Sequence, residues 1–323
     1  MLMSVAKGVA VGMEIGGGQT TVALIDQNGC VQERYVARTL RGRPAVATFD
    51  PYLRAIDMML QHAREHEMEV LGIGVSVPGS VDSLTRRPLQ VPILPSLNNF
   101  PIGDLLESRY QLPIHVHADV DAAVLGEHRF GAGKTHQRLL FLTVNAVVGA
   151  SLVVDGQLER SGRQYVGHVC HVPIASTGPR CSCGKCGCIN TLISIEAVKK
   201  MVQRALRRGE ETTLTQRFLN HEVFSHQLLA EEAVRGDNLA LRIYRELARW
   251  LVEAITRYIG LFEPNIFILG GGVLYGGDLL LAQIRTLIGD RPPSPLWQMI
   301  EVVPACLGGD VALIGSVAPF ALL

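Results

Sequence analysis

Four cysteines within eight residues, Cys181, Cys183, Cys186 and Cys188, constrain this chain more than any other feature. They follow His168, which ends the string Tyr165-Val166-Gly167-His168. Gly184 and Gly187 allow the backbone to turn between the sulfurs. Three thiolates and one imidazole fit a closed tetrahedral zinc site. Such a site leaves no open coordination position, so it folds a loop and does no chemistry itself. Cys181, Cys183 and Cys188 suffice with His168; Cys186 is the ambiguous member, which the sequence leaves open as an alternative ligand, and Cys170 and His171 lie nearby. Disulfides and a redox cluster are the poorer readings. Cys181-Ser182-Cys183 is too short for an easy bridge, the seven cysteines are odd in number, and no secretory signal is visible. A reducing, cytoplasmic setting is expected. Cys30 and Cys306 read as ordinary small apolar residues.

The 323 residues are enough for two domains with full cores. A hydrophobic content of 48%, 19% charged residues and zero formal charge describe a globular chain without a basic nucleic-acid footprint. No apolar run is long enough to cross a membrane. Neither a nucleic acid nor a membrane is therefore an expected partner.

The first forty residues read as a strand meander. Val9–Ile15 is a near-continuous apolar run, as a buried central strand should be. Gly16-Gly17-Gly18 breaks it. Thr20–Asp26 follows, then an Asn28-Gly29 turn and a third strand over Val31–Ala37. Asp50-Pro51 predicts a helix start, with Leu53, Ile56, Met59, Leu60 and Ala63 as its apolar stripe. Val70–Val77 reads as a buried strand ended by Pro78-Gly79. A short helix near Ile102–Arg109, a strand over Pro113–Ala118 and a helix from about Asp121 come next. Leu139–Thr143 and Gly149–Val154 look like paired strands opening a second domain. After the cysteine loop, helices dominate: Glu196–Arg208, Ser225–Arg235 and a long one over Asn238–Phe262, stopped by Pro264. Ile266–Leu269 is a short buried strand running into Gly270-Gly271-Gly272. The expected class is α/β, with two domains facing a cleft.

Several segments together resemble the ROK family of repressors, open reading frames and sugar kinases. Gly167-His168 followed by Cys181-Ser182-Cys183-Gly184-Lys185-Cys186-Gly187-Cys188 is similar to that family's zinc signature, GH then CxCGxxGC. Asp119-Val120-Asp121-Ala122-Ala123-Val124-Leu125-Gly126-Glu127 resembles its DANAAALGE stretch. Val77-Pro78-Gly79-Ser80-Val81-Asp82 resembles PGxVD, and Leu269-Gly270-Gly271-Gly272 its adenosine-side glycine run. The resemblance extends from about Val9 to Ala318. It implies two actin/hexokinase-like (RNase H-like) domains around a catalytic cleft, with the zinc-stapled loop in the second. The expected division is 1–125, 126–305, and a C-terminal segment 306–323 packing back toward the first domain. A homodimer or higher homo-oligomer is also implied; the long helix Asn238–Phe262 reads equally as a candidate interface or as buried core.

A sugar kinase of this kind needs a carboxylate base, backbone amides to cradle phosphates, a magnesium ion and polar groups to orient the sugar. The resemblance places the base at Asp119. Read locally, the same aspartate is an N-cap. The nucleotide set would be Glu14, Gly16, Gly17, Gly18, Gly149, Gly270, Gly271 and Gly272. The sugar set would be Asn98, Asn99, Asp119, Tyr165, His168 and Asn190, and the metal set His168, Cys181, Cys183 and Cys188. Taken by themselves, Asn98-Asn99 and the three glycines after the first strand are explained as well by plain turns.

The departures from the family pattern are specific. DxGGTK stands here as Glu14-Ile15-Gly16-Gly17-Gly18-Gln19, with the threonine hydroxyl and the lysine charge gone. GTGIG stands as Asn145-Ala146-Val147-Val148-Gly149, and valine is a poor host for positive φ or for close phosphate approach. Aligned on His168, GExGH stands as Gln164-Tyr165-Val166-Gly167-His168, so Tyr165 replaces a sugar-binding glutamate. Asn190 replaces the glutamate of GCxE. Tyrosine and asparagine accept sugar hydroxyls more weakly than a carboxylate.

Three readings follow. The chain binds a hexose-like sugar with weak or lost phosphotransfer; it is a working ATP-dependent sugar kinase with Asp119 as base; or it is a sugar-sensing regulator related to ROK repressors. Structural zinc is expected in each, and ATP with magnesium only in the second. The first strand begins close to Met1, which speaks against a preceding DNA-binding domain.

Overall fold

The computed structural model describes residues 8–161, 164–165, 168–292 and 300–321. The chain divides into two compact units. The first comprises Met1–Gln137, Ser151–Val166 and Cys306–Leu323; the second comprises Arg138–Ala150 and Gly167–Ala305.

The first unit is built on a five-stranded sheet. Strands β1 (Gly8–Ile15), β2 (Gln19–Asp26) and β3 (Val31–Arg38) form the expected antiparallel meander. The Asp26 carboxylate accepts the N–H groups of Asn28 and Cys30, both at 2.9 Å, and Gly29 takes φ +81°. This is the local chemistry that makes Asx-Gly a turn. After helix α1 (Ala45–Glu65), strand β4 (Glu69–Val77) joins β1 in parallel. A small hairpin, β5 (Ser80–Asp82) and β6 (Arg87–Gln90), and helix α2 (Ile102–Tyr110) precede β7 (Ile114–Ala118). The sheet order is β3-β2-β1-β4-β7.

Helix α1 starts six residues before the position predicted at Pro51, which falls inside it. Thr48, Phe49 and Tyr52 are fully buried, so the apolar face begins upstream of the proline. Pro44 takes the cap position, and its carbonyl accepts the Thr48 N–H at 3.0 Å. Burial of that extra turn outweighs the hydrogen bond that Pro51 cannot donate.

The two sheet faces differ in bulk. Val9, Val11, Met13, Ile15, Ile73, Val75 and Val116 point into the core shared with α1 and α2. The opposite face carries Ala10, Gly12, Ala23 and Gly74, and accepts helix α3 (Asp119–Phe130) and the short helix Val311–Ser316. A side chain at Gly74 would collide with the Ser316 carbonyl, and one at Gly315 with the Ala122 carbonyl. Small residues on both partners therefore set this close approach.

The second five-stranded sheet has the order β10-β9-β8-β13-β14. Its members are β8 (Arg138–Val144), β9 (Val148–Val154), β10 (Gln157–Leu158), β13 (Ile266–Gly270) and β14 (Glu301–Pro304). A small hairpin, β11 (Arg160–Ser161) and β12 (Gln164–Tyr165), lies between β10 and the cysteine loop. Strand β13 pairs in parallel with both β8 and β14. Strand β9 carries the chain from the second unit into the first. The helices of the second unit are α4 (Asn190–Ile193), α5 (Ile195–Arg207), α6 (Leu214–Leu219), α7 (His226–Val234), α8 (Asn238–Phe262) and α9 (Asp278–Gly289). In α8, Leu239, Ile243, Leu247, Leu251, Ile255 and Tyr258 bury one stripe at helical spacing. Asp237 caps its start by accepting the Ala240 N–H at 2.8 Å, and left-handed Glu263 ends it before Pro264. No helix among the described residues is long and apolar enough to cross a membrane.

Candidate functional site

The first unit gathers four carboxyl groups. Glu14 lies near the end of β1, Asp119 and Asp121 lie in the first turn of α3, and Asp310 precedes the helix Val311–Ser316. Burial, then the charges of Asp119 and Asp310, raise the Glu14 carboxyl to about 7, against the lowering influence of Arg34. Arg34 is itself held by Asp310 at 2.5 Å. Asp119 is exposed at its surface, yet protein crowds around it, and the lost hydration raises its carboxyl to about 6. Water still screens part of that penalty. The backbone N–H groups of Val120 and Gly79 donate to it and oppose the rise. The second contact brings together the segments resembling PGxVD and DANAAALGE. Asp121 is buried. Its Oδ1 accepts the Ser151 hydroxyl at 2.6 Å, and desolvation raises its carboxyl to about 7. A carboxylate at Asp119 poised near neutrality has the property a general base needs.

The first glycine loop is braced from one side. Thr39 donates its hydroxyl to the Gly16 carbonyl at 2.8 Å and its backbone N–H to that of Gly18 at 3.1 Å. Arg41 donates to the Gly17 carbonyl through Nε at 2.8 Å and also through its guanidinium end. All three loop carbonyls are thus engaged by residues 39–41. Asn98 and Asn99 also hold a turn: Asn98 Oδ1 accepts the Val91 N–H at 2.8 Å, and Asn99 sits at φ +58°.

The loop at the GTGIG position lies in the second unit, and several of its polar groups have partners within the unit. Asn145 donates its amide to Thr143 Oγ1 at 3.1 Å and accepts the Gly272 N–H at 2.7 Å, while its carbonyl accepts the Ile195 N–H at 3.0 Å. Val147 projects into solvent, 56% exposed. The Val148 N–H donates to Asn190 Oδ1 at 2.9 Å. Gly149 is the second residue of β9. Gly271 takes φ +87°, and a Cβ there would press on Thr143 Oγ1 and the Val144 backbone. This glycine is required by geometry, whatever the loop binds. His226 packs against Gly272, and neither ring nitrogen has a partner among the described residues; burial lowers its pKa to about 4.

The cysteine loop brings together one nitrogen and three sulfurs. His171, Cys181, Cys183 and Cys188 place their ligand atoms within 4.8 Å of one another, a set able to hold a zinc ion. His171 Nδ1 lies 3.3 Å from Cys181 Sγ, and Cys183 Sγ lies 3.6 Å from Cys188 Sγ. Without a cation the thiols cannot ionise together. Hydrogen bonding, first from the Cys183 backbone, lowers Cys181 to about 6, whereas burial and neighbouring sulfur raise Cys188 to about 12. Such a crowd of sulfurs fits a divalent cation that keeps every thiol deprotonated. The nitrogen ligand in this group is His171, three residues beyond His168. The side chains of His168 and Tyr165 lie outside the described residues.

This geometry suggests a different register for the motif. With His171 as the metal histidine, GExGH falls on Gly167-His168-Val169-Cys170-His171. Asn190 lies at the start of α4, two residues past Cys188. Sequence reasoning missed other residues here. Glu127, fully buried, accepts the backbone N–H groups of Ala132, Cys306 and Leu307 at 2.9–3.0 Å, fastening the C-terminal segment to α3. Glu127 closes the stretch resembling DANAAALGE, yet that resemblance does not name its role; Arg41 and His226 carry no local signature.

Comparison with known proteins agrees with these features. A glucokinase of Thermotoga maritima is 28% identical, covering 95% of this chain and 95% of its own. A putative xylose repressor of a Caldicellulosiruptor species is 25% identical, covering 98% of this chain and 80% of its own. Among solved structures, a ROK family glucokinase from Streptomyces griseus, in complex with glucose and AMPPNP, superposes with a TM-score of 0.76 at 29% identity, covering 96% and 98% of the two chains. A ROK family transcriptional regulator, a homolog of the E. coli MLC protein, superposes with a TM-score of 0.86 at 24% identity over 98% of this chain and 78% of that one, a likeness of fold. The α/β architecture is that of the hexokinase-fold ROK structures. The ROK family profile matches residues 10–321, and the chain belongs to that family.

Proposed function

We propose that this sugar-kinase-fold protein binds a hexose-like sugar and transfers phosphate from ATP weakly or not at all. One observation carries the reading: the loop at the GTGIG position bears side chains where the family pattern has glycine, and one of its N–H groups is already taken by Asn190. Ala146 and Val147 stand where the family pattern has threonine and glycine, and the Val148 N–H is already held by Asn190. A phosphate oxygen needs free backbone N–H groups and room to approach them. The first loop keeps its glycines but lacks the lysine charge, since Gln19 stands in its place.

In this reading Asp119 accepts a sugar hydroxyl. Asn98, Asn99, Tyr165, His168 and Asn190 complete the proposed set, with His168 at a glutamate position if the register follows His171. Glu14, Gly16, Gly17, Gly18, Gly149, Gly270, Gly271 and Gly272 mark the reduced nucleotide side. His171, Cys181, Cys183 and Cys188 hold structural zinc, which supplies cross-linking and no Lewis-acid chemistry to the sugar. A homodimer or higher oligomer is part of the proposal, to be read from its mass in solution.

A working kinase is the second reading. It is favoured by the Asp119 carboxyl, which stands near 6 and is ionised at neutral pH. Calorimetry with hexoses, N-acetylglucosamine and N-acetylmannosamine, each with and without Mg–ATP, separates the two. The first reading expects heat from a sugar and none from ATP. ATP binding coupled to ADP release supports the second.

A further inference from the structure

The zinc loop holds one more thiol than a closed site uses. Cys186 is exposed and stands outside the group formed by His171, Cys181, Cys183 and Cys188. Three residues before it lies Cys183, also exposed, whereas Cys181 and Cys188 are buried. The residues between them are Gly184 and Lys185. Gly184 takes φ +90°, with open space where a Cβ would stand. Its backbone folds back on itself: Gly184 N–H donates to the Cys181 carbonyl at 3.0 Å and Cys181 N–H to the Lys185 carbonyl at 2.8 Å. The two accessible sulfurs of the loop therefore form a Cys-x-x-Cys pair, of which one member is a metal ligand and the other is not.

Resting on the zinc reading above, we propose that Cys183-Gly184-Lys185-Cys186 is an oxidation site that releases the structural zinc by forming a Cys183–Cys186 disulfide. The oxidant is a hydroperoxide. The uncoordinated Cys186 thiolate attacks one peroxide oxygen. The O–O bond breaks, the departing hydroxide takes a proton to become water, and the sulfur becomes a sulfenic acid, oxidised by two electrons. Cys183 sulfur then attacks the sulfenic sulfur. The S–S bond forms as Cys183 gives up its place on the metal, the S–O bond breaks, and the leaving hydroxide takes a proton to become water; with an organic hydroperoxide the group leaving in the first step is an alkoxide, which takes a proton to become the alcohol. With hydrogen peroxide, two thiols and one peroxide give one disulfide and two waters. Zinc is left with His171, Cys181 and Cys188, and a site short of one thiolate holds it less tightly.

The loop connects directly to the segment at the GTGIG position. Cys188 bridges to Pro173, Ile189 N–H donates to the Val172 carbonyl at 3.1 Å, and Asn190 follows directly with its bond to Val148. Loosening Cys188 therefore loosens the residue that occupies the Val148 N–H.

The test uses the full chain as isolated. Its zinc content is measured first, and a chromogenic chelator then follows zinc release under hydrogen peroxide. Peptide mass spectrometry maps the disulfide. Wild type is expected to release zinc as the Cys183–Cys186 disulfide appears. Cys186→Ser should bind zinc and melt as wild type does, yet release zinc at least about ten-fold more slowly. Release from Cys186→Ser at the wild-type rate, or a mapped disulfide lacking Cys186, overturns the proposal and leaves the zinc reading standing. A protein isolated without zinc, and unable to take it up, overturns both.

Discussion

The side-chain oxygen of Asn190 accepts the Val148 N–H at 2.9 Å, so the residue standing where the family has a sugar-binding glutamate closes the loop standing where the family binds phosphate. Two departures that look independent in sequence meet in one hydrogen bond. Replacing Asn145-Ala146-Val147 by Gly-Thr-Gly together with Asn190→Glu should restore measurable ATP affinity, read by calorimetry. The replacement also removes the Asn145 bonds to Thr143 and Gly272, so a loss of roughly 1–3 kcal/mol in stability is expected alongside. A folded variant with no heat of ATP binding would place the lesion elsewhere.

Glu127 closes the first unit by accepting three backbone N–H groups, two of them from Cys306 and Leu307. Glu127→Ala strands three part-buried donors and should cost about 1–3 kcal/mol in chemical denaturation. Glu127→Gln keeps one acceptor oxygen and should cost less. Equal stability of wild type and Glu127→Ala would remove the proposed fastening role.

Asp121 gives a pH signature. Its folded-state carboxyl is raised from 3.8 to about 7, so the folded chain binds this proton more tightly than the unfolded chain does. The penalty is absent below about pH 4, grows as pH rises toward 7 and is complete above it. Asp121→Asn keeps an oxygen to accept from Ser151 and carries no charge to bury. Its melting temperature relative to wild type should therefore climb between pH 4 and 7 and then level, with a gain of up to about 4 kcal/mol. A pH-independent difference would contradict a raised carboxyl at this position.

Metal removal tests the cysteine loop. Chelation, or Cys183→Ser, should lower the melting temperature by at least about 5 °C, because the bound cation both joins His171 to the three sulfurs and keeps those sulfurs ionised. Unchanged melting after confirmed metal removal would count against a structural ion. His171→Ala should act like Cys183→Ser; if His168→Ala does so instead, the histidine assignment returns to His168.

Much of the fold was legible because it depends on periodicity and local turn chemistry. The strand meander over β1–β3, the Asn28-Gly29 turn and helix α8 with its stop before Pro264 all follow from patterns a few residues long. The start of α1 was not legible. A proline at position 51 is a strong local start signal, and only the burial of Thr48 and Phe49 reveals that the helix begins earlier. The acidic residues near Asp119 could be named from motif resemblance, but the Gly79 N–H that meets Asp119 depends on how β4 and β7 pair. His171 joins the three sulfurs in the described structure, whereas the His168 side chain lies outside the described residues; both stand a plausible distance before the cysteines, so spacing alone does not choose between them. Arg41, Glu127 and the pairing of Asn190 with Val148 are long-range contacts, and residue type alone carries no trace of them.

The most direct test of the account is a coupled assay for ADP with Mg–ATP and each sugar that gives a calorimetric binding signal. The account predicts sugar binding with ADP release at background, and no difference in ADP release between wild type and Asp119→Ala. Robust turnover that Asp119→Ala abolishes would contradict it.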